Sequence, residues 1–140
     1  MTVRDQNLET TGALYATFKV HQTAGNDDLV DADVGKAMSI MGNYEVGFGA
    51  NGSILLGKLI DLSLSDADEG VRVATVQVAG IMTLPVAATV PSVGNRVVVN
   101  GAGTVKQAPV LAGYDPAGGN VARGTVISVN GTVEVTLILN

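Results

Sequence analysis

The amino-acid sequence predicts an all-β domain: a small β-barrel or β-clip-like body built from two similar β units, preceded by an extended N-terminal arm. Three observations lead to this fold class. Runs of alternating β-branched and polar residues are separated by glycine and proline, which is typical of strands and turns. Only 4% of the residues are aromatic, against 46% hydrophobic, so the core must consist mainly of Val, Ile, Leu and Ala. The second half of the chain also repeats the pattern of the first.

The totals of the chain exclude several classes of partner. At 140 residues the chain fits one domain. A net charge of −5 with 8 Lys and Arg argues against a nucleic-acid surface, because neutralising phosphates needs clustered basic residues. The lack of cysteine excludes disulfides and thiolate metal sites. No apolar run approaches the roughly 20 residues that span a bilayer, and no signal peptide is evident, so we expect no membrane partner and a protein used in solution.

The chain begins with a polar arm, a strand and an acidic loop. Met1–Gly12 lacks clear periodicity, so we expect an arm that is mobile until a partner holds it. Hydrophobic residues occupy every second position around Ala13–His21, the period-2 signature of a strand. Gly25–Asp33 carries four aspartates, which we expect to cap local amides in a loop or a single helical turn. Calcium binding is the alternative, but the mid-loop glycine and final glutamate of an EF-hand are missing.

The stretch Val71–Val105 organises the rest of the chain. Its first part sets β-branched residues among small polar ones and predicts a strand. Pro85 and Pro91 cannot donate a backbone hydrogen bond, so the chain should turn or leave the sheet there. Beyond them, Arg96–Val99 and Thr104–Lys106 should form a hairpin around an Asn-Gly pair, which tolerates positive φ.

From Val34 onward the sequence repeats itself, with approximate copies at residues 34–80 and 93–139. Two copies of one β unit would close a small barrel and remove exposed strand edges. The second copy carries an insertion, Ala108–Asn120, whose Pro and Gly content predicts an exposed loop. Matched positions are Gly35 with Gly94, Met38 with Val97, Ile40 with Val99, Gly42 with Gly101, Gly57 with Gly124, Ile60 with Ile127 and Leu62 with Val129. Predicted buried positions are Val73, Val76, Val78, Val97, Val99, Ile127, Val129, Val135 and Leu137.

Motifs that could carry chemistry have simpler interpretations in this chain. Gly47–Gly52 matches the dinucleotide pattern GxGxxG, but the alternating residues after it predict a strand where the pattern needs a helix. His21 is the only histidine, and no serine lies in a GxSxG elbow, so a Ser-His-Asp arrangement has no support. The carboxylates of Asp66, Asp68 and Glu69 fit a solvated turn. We therefore expect no enzyme activity, no cofactor and no metal site.

Four glycine- and valine-rich stretches carry a resemblance to a known family: VGKAMSIMGNYEVGFGANGSILLGKLIDL, VQVAGIMTLP, VGNRVVVNGAGTVKQA and ARGTVISV. Over roughly residues 33–140 the chain resembles the capsid decoration, or cement, proteins of tailed bacteriophages. The resemblance implies a β-barrel or tulip-like protein, usually trimeric, on the outside of the mature head at three-fold or quasi-three-fold positions. It also implies that the protein is made in the host cytoplasm and braces major capsid subunits without contacting nucleic acid.

Two segments are the candidates for contact with the capsid. The arm should pair with an exposed strand edge of a capsid subunit, because backbone pairing tolerates varied side chains. The arm residues are Thr2, Val3, Arg4, Asp5, Gln6, Asn7 and Leu8. The candidate residues of the inserted loop are Leu111, Tyr114, Asp115 and Pro116. The alternative function is a non-catalytic β-barrel binding or accessory module of a larger enzyme or adhesin, for example one that contacts glycans.

Overall fold

The computed structural model describes residues 10–63, 72–109 and 122–140, and this part of the chain contains eleven β-strands, one 3₁₀ turn (Asp31–Asp33) and no α-helix. The predicted all-β fold class is therefore confirmed. The strands are β1 (Leu14–Val20), β2 (Gln22–Thr23), β3 (Asn26–Asp27), β4 (Ala37–Gly42), β5 (Glu45–Gly47), β6 (Gly57–Leu62), β7 (Val73–Pro85), β8 (Val97–Val99), β9 (Val105–Gln107), β10 (Thr125–Asn130) and β11 (Glu134–Leu139).

A closed five-stranded ring, which we call the first barrel, forms one half of the described structure. Its strands follow the order β1, β5, β4, β6 and β7, and antiparallel pairing of β1 with β7 closes the ring. β1 and β5 run parallel, whereas the other neighbours in the ring are antiparallel. Only residues 73–79 of β7 take part in this closure with β1. The prediction of a small β-barrel is confirmed by this ring.

The second half of β7, residues 80–85, continues into another group of strands, which we call the second unit. β11 pairs with this half of β7, and β10 pairs with β11, both antiparallel. β8 and β9 form an antiparallel hairpin. Isolated bridges join Val86 to Val105 and Val97 to Arg123, so the hairpin contacts the end of β7 on one side and the start of β10 on the other. One long strand is thus shared by both halves of the molecule.

The first barrel and the second unit have matching backbone pairings. Gly35 N donates to Leu59 O at 2.7 Å in the first barrel, and Gly94 N donates to Val126 O at 2.8 Å in the second unit. These pairings define which strands of the two halves correspond. In the first barrel, β4, β5 and β6 correspond to β8, β9 and β10 of the second unit. β1 corresponds to the second half of β7, and the first half of β7 corresponds to β11. The corresponding residue pairs include Ile40–Val46 and Val99–Val105, Leu59–Val76 and Val126–Leu137, and Val20–Val46 and Val86–Val105.

Each half of the molecule has its own hydrophobic core. Burial of aliphatic side chains in these cores provides the main hydrophobic stabilisation of the fold, since the chain has few aromatic residues. The first barrel encloses Val20, Leu29, Met38, Val46, Leu59, Leu62, Ala74 and Val76. The second cluster contains Ala37, Leu55, Met82, Leu84, Val86, Val97, Val99, Val105, Val126, Val135, Leu137 and Leu139. Ala37 and Leu55 come from the part of the chain that builds the first barrel, so the second core extends across the junction.

Most of the positions predicted to be buried lie in or against these cores. Val76, Val97, Val99, Val135 and Leu137 are buried. The half-buried residues Val78 and Val129 pack against the cores. The prediction for Val73 is wrong: its side chain is 39% exposed, because successive strand residues face opposite sides and Ala74 and Val76 take the inward positions.

A β-bulge explains why the burial prediction for Ile127 is also wrong. The register of β10 against β11 shifts between Val126 and Ser128, so Val126 occupies the core and Ile127 is half-buried. The corresponding shift occurs between Leu59 and Asp61 in β6. One extra residue on each strand changes which side chains face inward, and simple alternation does not reveal it.

The predicted turns are present. The acidic loop forms the 3₁₀ turn, in which Val30 N donates to Asp33 Oδ2 at 2.8 Å. β7 ends at Pro85, as proline's missing N–H predicts. The hairpin between β8 and β9 is closed by Asn100 N donating to Thr104 O at 2.8 Å, a longer turn than the Asn-Gly pair alone would make.

Candidate functional site

The predicted contact residues lie outside the described part of the chain. This holds for the arm residues 2–8 and for Leu111, Tyr114, Asp115 and Pro116 of the inserted loop. Asp66, Asp68 and Glu69, which the sequence predicts to form a solvated turn, also lie outside the described residues. The described structure does fix the points at which the arm and the loop join the body.

The arm joins the body at the middle of β7. Thr10 N donates to Ile81 O at 2.9 Å, and Ile81 N donates to Thr11 O at 2.9 Å. Gly80 sits between the two halves of β7 with a φ of 99°, and a Cβ there would lie 2.7 Å from Thr11 O. Glycine is therefore required for this approach. The arm thus starts beside the strand that both halves of the molecule share.

The inserted loop starts and ends on the second unit. Before the loop, Ala108 N donates to Arg96 O at 2.9 Å. After the loop, Arg123 N and Val97 N each donate to the other residue's carbonyl, at 3.1 and 3.0 Å. Both ends of the loop are therefore held beside the start of β8.

The GxGxxG segment joins the two halves of the molecule. Gly47 ends β5, and the chain reaches the next strand, β6, without a helix, so the helix N-terminus that would hold a pyrophosphate is missing. Gly52 N instead donates to Val99 O at 2.9 Å, and Val99 N donates to Ser53 O at 3.0 Å. The strand that the sequence predicts after this segment is present as β6.

The turn between β8 and β9 packs against the first barrel. Gly103 O accepts a hydrogen bond from Ala37 N at 2.8 Å. A Cβ at Gly103 would lie 2.7 Å from Lys36 Cδ and 3.1 Å from Phe48 Cε1, so the turn fits only because the residue there has no side chain. The ammonium of Lys36 is 5.5 Å from the Phe48 ring centroid, a cation–π distance. At this junction the β8–β9 turn therefore packs closely beneath the side chains of Lys36 and Phe48.

Arg123 strengthens the same junction. Its Nη1 donates to Leu55 O at 2.8 Å and to Leu56 O at 3.3 Å, and its Nη2 donates to Asn140 O at 3.2 Å. Burial lowers the pKa of Arg123, which nevertheless remains charged at neutral pH. The guanidinium thus satisfies backbone carbonyls from both halves of the molecule.

The corresponding turn of the first barrel, between β4 and β5, is exposed. Tyr44 corresponds to Gly103 and adopts a φ of 58°, and its side chain is 80% exposed. Ile40, which corresponds to the fully buried Val99, is 45% exposed, and Met41 is exposed as well. We call the residues Ile40–Glu45 the β4–β5 tip. This surface was not predicted from the sequence, because Ile40 and Val99 match in the residue pattern. The available signal was a tyrosine in a tight turn.

Several charged side chains around the 3₁₀ turn form ion pairs, including Arg72 with Asp31. His21 Nδ1 lies 2.6 Å from Asp28 Oδ2, and Lys36 Nζ lies 2.8 Å from Asp33 Oδ1. Partial burial acts to raise the pKa of Asp28, but hydrogen bonds from His21 and Thr23, together with the charge of His21, lower it on balance. These pairs hold the segments around the 3₁₀ turn.

The described residues contain no group of three or more His, Cys, Asp or Glu side chains placed to hold a metal ion. Within the same ranges there is no helix of the length and hydrophobicity needed to cross a bilayer. Comparisons of the chain with protein-family models, with curated proteins and with solved structures found no match.

Proposed function

We propose that this chain is a capsid decoration, or cement, protein of a tailed bacteriophage, which binds the outside of the head as a homotrimer and braces neighbouring major capsid subunits. The resemblance of four glycine- and valine-rich stretches supports this function. The compact all-β body is compatible with a structural role.

The observation that carries the proposal is the way the arm joins the body. Two backbone hydrogen bonds tie Thr10 and Thr11 to Ile81, beside the bend at Gly80. A polar segment attached to the shared strand can extend from the body while its base stays fixed. This arrangement suits a rigid body whose arm pairs with a strand edge of another protein.

Several arms are needed for firm attachment in this proposal. Ordering a free segment costs roughly 1 to 2 kcal/mol per residue, so one arm of about seven residues binds weakly. Three arms on one trimer raise the effective concentration of the second and third contacts. Avidity then retains the trimer on the head.

The test measures binding to heads that lack this protein. Deleting Thr2–Leu8 should leave the far-ultraviolet circular dichroism of the body unchanged and reduce occupancy, more strongly as protein is diluted. Scrambling the order of the same residues is the matched control and should retain binding, because β-augmentation depends on backbone groups. Gln6→Pro, which removes one backbone N–H, should weaken it.

Two results would count against the proposal. Occupancy of the deletion variant equal to that of the full chain at every dilution would exclude the arm as the contact. Failure of the full chain to bind heads, together with specific binding to glycans or to a catalytic subunit, would favour the accessory-module function.

A further inference from the structure

We infer that the β4–β5 tip of one copy of this chain docks onto the second unit of another copy, in the same manner as the β8–β9 turn docks onto the first barrel within one chain. Only the closure of these contacts into a ring rests on the proposed homotrimer. The contact itself involves two copies of this chain. The partner that binds the β4–β5 tip is therefore a second copy, and the two copies are arranged head to tail.

The internal junction is the template for this contact. The β8–β9 turn reaches the first barrel through Gly101 and Gly103, and Gly103 O accepts a hydrogen bond from Ala37 N. Val99, at the end of β8, bonds through its backbone to Gly52 and Ser53. The surface that receives the turn includes Lys36 and Phe48. Because the two halves of the molecule share their backbone pairings, the first barrel carries an equivalent tip, and the second unit carries positions equivalent to Lys36, Ala37 and Phe48. The positions equivalent to Gly52 and Ser53 belong to the inserted loop, outside the described residues.

In the described part of the chain, the side chains on both equivalent surfaces are exposed or half-buried. On the first barrel, the β4–β5 tip exposes Ile40, Met41 and Tyr44. On the second unit, the positions equivalent to Lys36, Ala37 and Phe48 are Asn95, Arg96 and Gln107. Arg96 is exposed, and Asn95 and Gln107 are half-buried. Three of the five residues 40–44 are therefore exposed apolar residues, and a cluster of exposed apolar residues can mark a protein contact.

The sizes of the side chains are exchanged between the two junctions at the tip and at two of the three receiving positions, whereas Arg96 is larger than its equivalent, Ala37. Within the chain, a glycine at the tip fits beneath a lysine and a phenylalanine. Between chains, a tyrosine at the tip would meet the shorter Asn95 and the non-aromatic Gln107. At these positions, the contact between copies would place a large tip residue against smaller side chains. The internal junction places a small tip residue against larger ones, so the two junctions fill a similar space.

Charge favours the same arrangement. Glu45 lies at the β4–β5 tip, and Arg96 lies on the receiving surface. A guanidinium can also stack on the ring of an exposed tyrosine, so Arg96 has two partners at the tip. The residue equivalent to Arg96 within the first barrel is Ala37, which is buried at the internal junction.

The two surfaces differ, so the contact between copies is heterologous. A heterologous contact generates a ring when its rotation closes and a filament when it does not. In a closed trimer, three junctions within chains and three between chains would alternate around six similar β units.

Cross-linking distinguishes this contact from a symmetric one. The chain has no natural cysteine, so single variants can be paired freely. We expect a short bismaleimide to join Asn43→Cys, at the tip, to Gln107→Cys, on the receiving surface, when the two variants are mixed. The control variant Thr132→Cys, exposed in the turn between β10 and β11, should give only background coupling with either one. Coupling of like with like, or none above the control at millimolar protein, would overturn the inference.

A second measurement tests the tyrosine itself. Tyr44→Gly gives the tip the residue that Gly103 supplies in the second unit, and glycine adopts positive φ without strain, so the fold should be retained. Sedimentation should show at least about tenfold weaker self-association, whereas the control Val133→Ala, which also shortens an exposed apolar residue, should leave it unchanged. Unchanged association of Tyr44→Gly would contradict the inference. Neither measurement uses heads, so failure of capsid binding and failure of this contact are separately visible.

Discussion

Replacing Val99 by alanine tests the assignment of the second core. Val99 is fully buried in that core and pairs with Val105 across the β8–β9 hairpin. Its backbone bonds to Gly52 and Ser53 do not involve the side chain, so the substitution leaves them in place. The side chain alone is therefore perturbed.

The expected loss of stability follows from the two methyl groups removed. At about 0.8 kcal/mol for each buried carbon, the transfer contribution is about 1.6 kcal/mol. The cavity that remains adds to this when the surroundings cannot collapse, so we expect Val99→Ala to lower the free energy of unfolding by about 1.6 to 3 kcal/mol.

The matched control makes the same change at an exposed position. Val133 is 66% exposed, so Val133→Ala should change the free energy of unfolding by no more than about 0.5 kcal/mol. Urea unfolding followed by far-ultraviolet circular dichroism measures both variants, with unchanged m-values as a check on two-state behaviour. A difference between the two variants of less than about 0.5 kcal/mol would show that Val99 does not contribute to a packed core.

Two further predictions concern the first barrel. Gly57→Ala should strongly destabilise the fold, because the added Cβ would lie 1.9 Å from the carbonyl oxygen of Gln77. The control Gly42→Ala should be nearly neutral, because its Cβ would meet other atoms only at 3.4 Å or beyond. Thermal unfolding compares the two variants, and equal melting temperatures would refute the clash at Gly57. The lowered pKa of Asp28 means that its ion pair with His21 contributes stability above the ordinary aspartate pKa of about 3.9, and this contribution is lost as pH falls through the lower folded pKa. Asp28→Asn should therefore reduce stability at pH 5 to 6 but not at pH 2; a constant difference across this range would refute the linkage.

Much of the fold was predictable because its signals are local. The period-2 pattern of β1, the proline that ends β7 and the glycine-rich hairpin between β8 and β9 each depend on a few neighbouring residues. The parallel pairing of β1 with β5 joins strands that are distant in the sequence, and no local pattern specifies it. The bulges at Ile60 and Ile127 were also missed, because an extra residue in one strand is defined only against its partner.

The candidate contact surfaces were harder to predict for a different reason. A β-branched residue in a strand pattern predicts burial, and by this rule Ile40 and Val99 look alike. Their environments differ because the second unit packs its β8–β9 turn against the first barrel, while the side chains of Ile40, Met41 and Tyr44 at the β4–β5 tip stay exposed. Burial here depends on the order of the two halves, which a residue pattern does not contain.

The exposed tip is a consequence of stacking similar units in one chain. In a row of two units, one tip and one receiving surface are covered at the internal junction, and one of each is left at the ends. Repeat proteins commonly give such end surfaces a polar outer face, which prevents further association. The receiving surface of the second unit follows this rule, with Asn95, Arg96 and Gln107. The β4–β5 tip does not, because it exposes Ile40, Met41 and Tyr44. An uncapped apolar end beside a charged glutamate is better explained as half of a contact between copies than as a terminal cap.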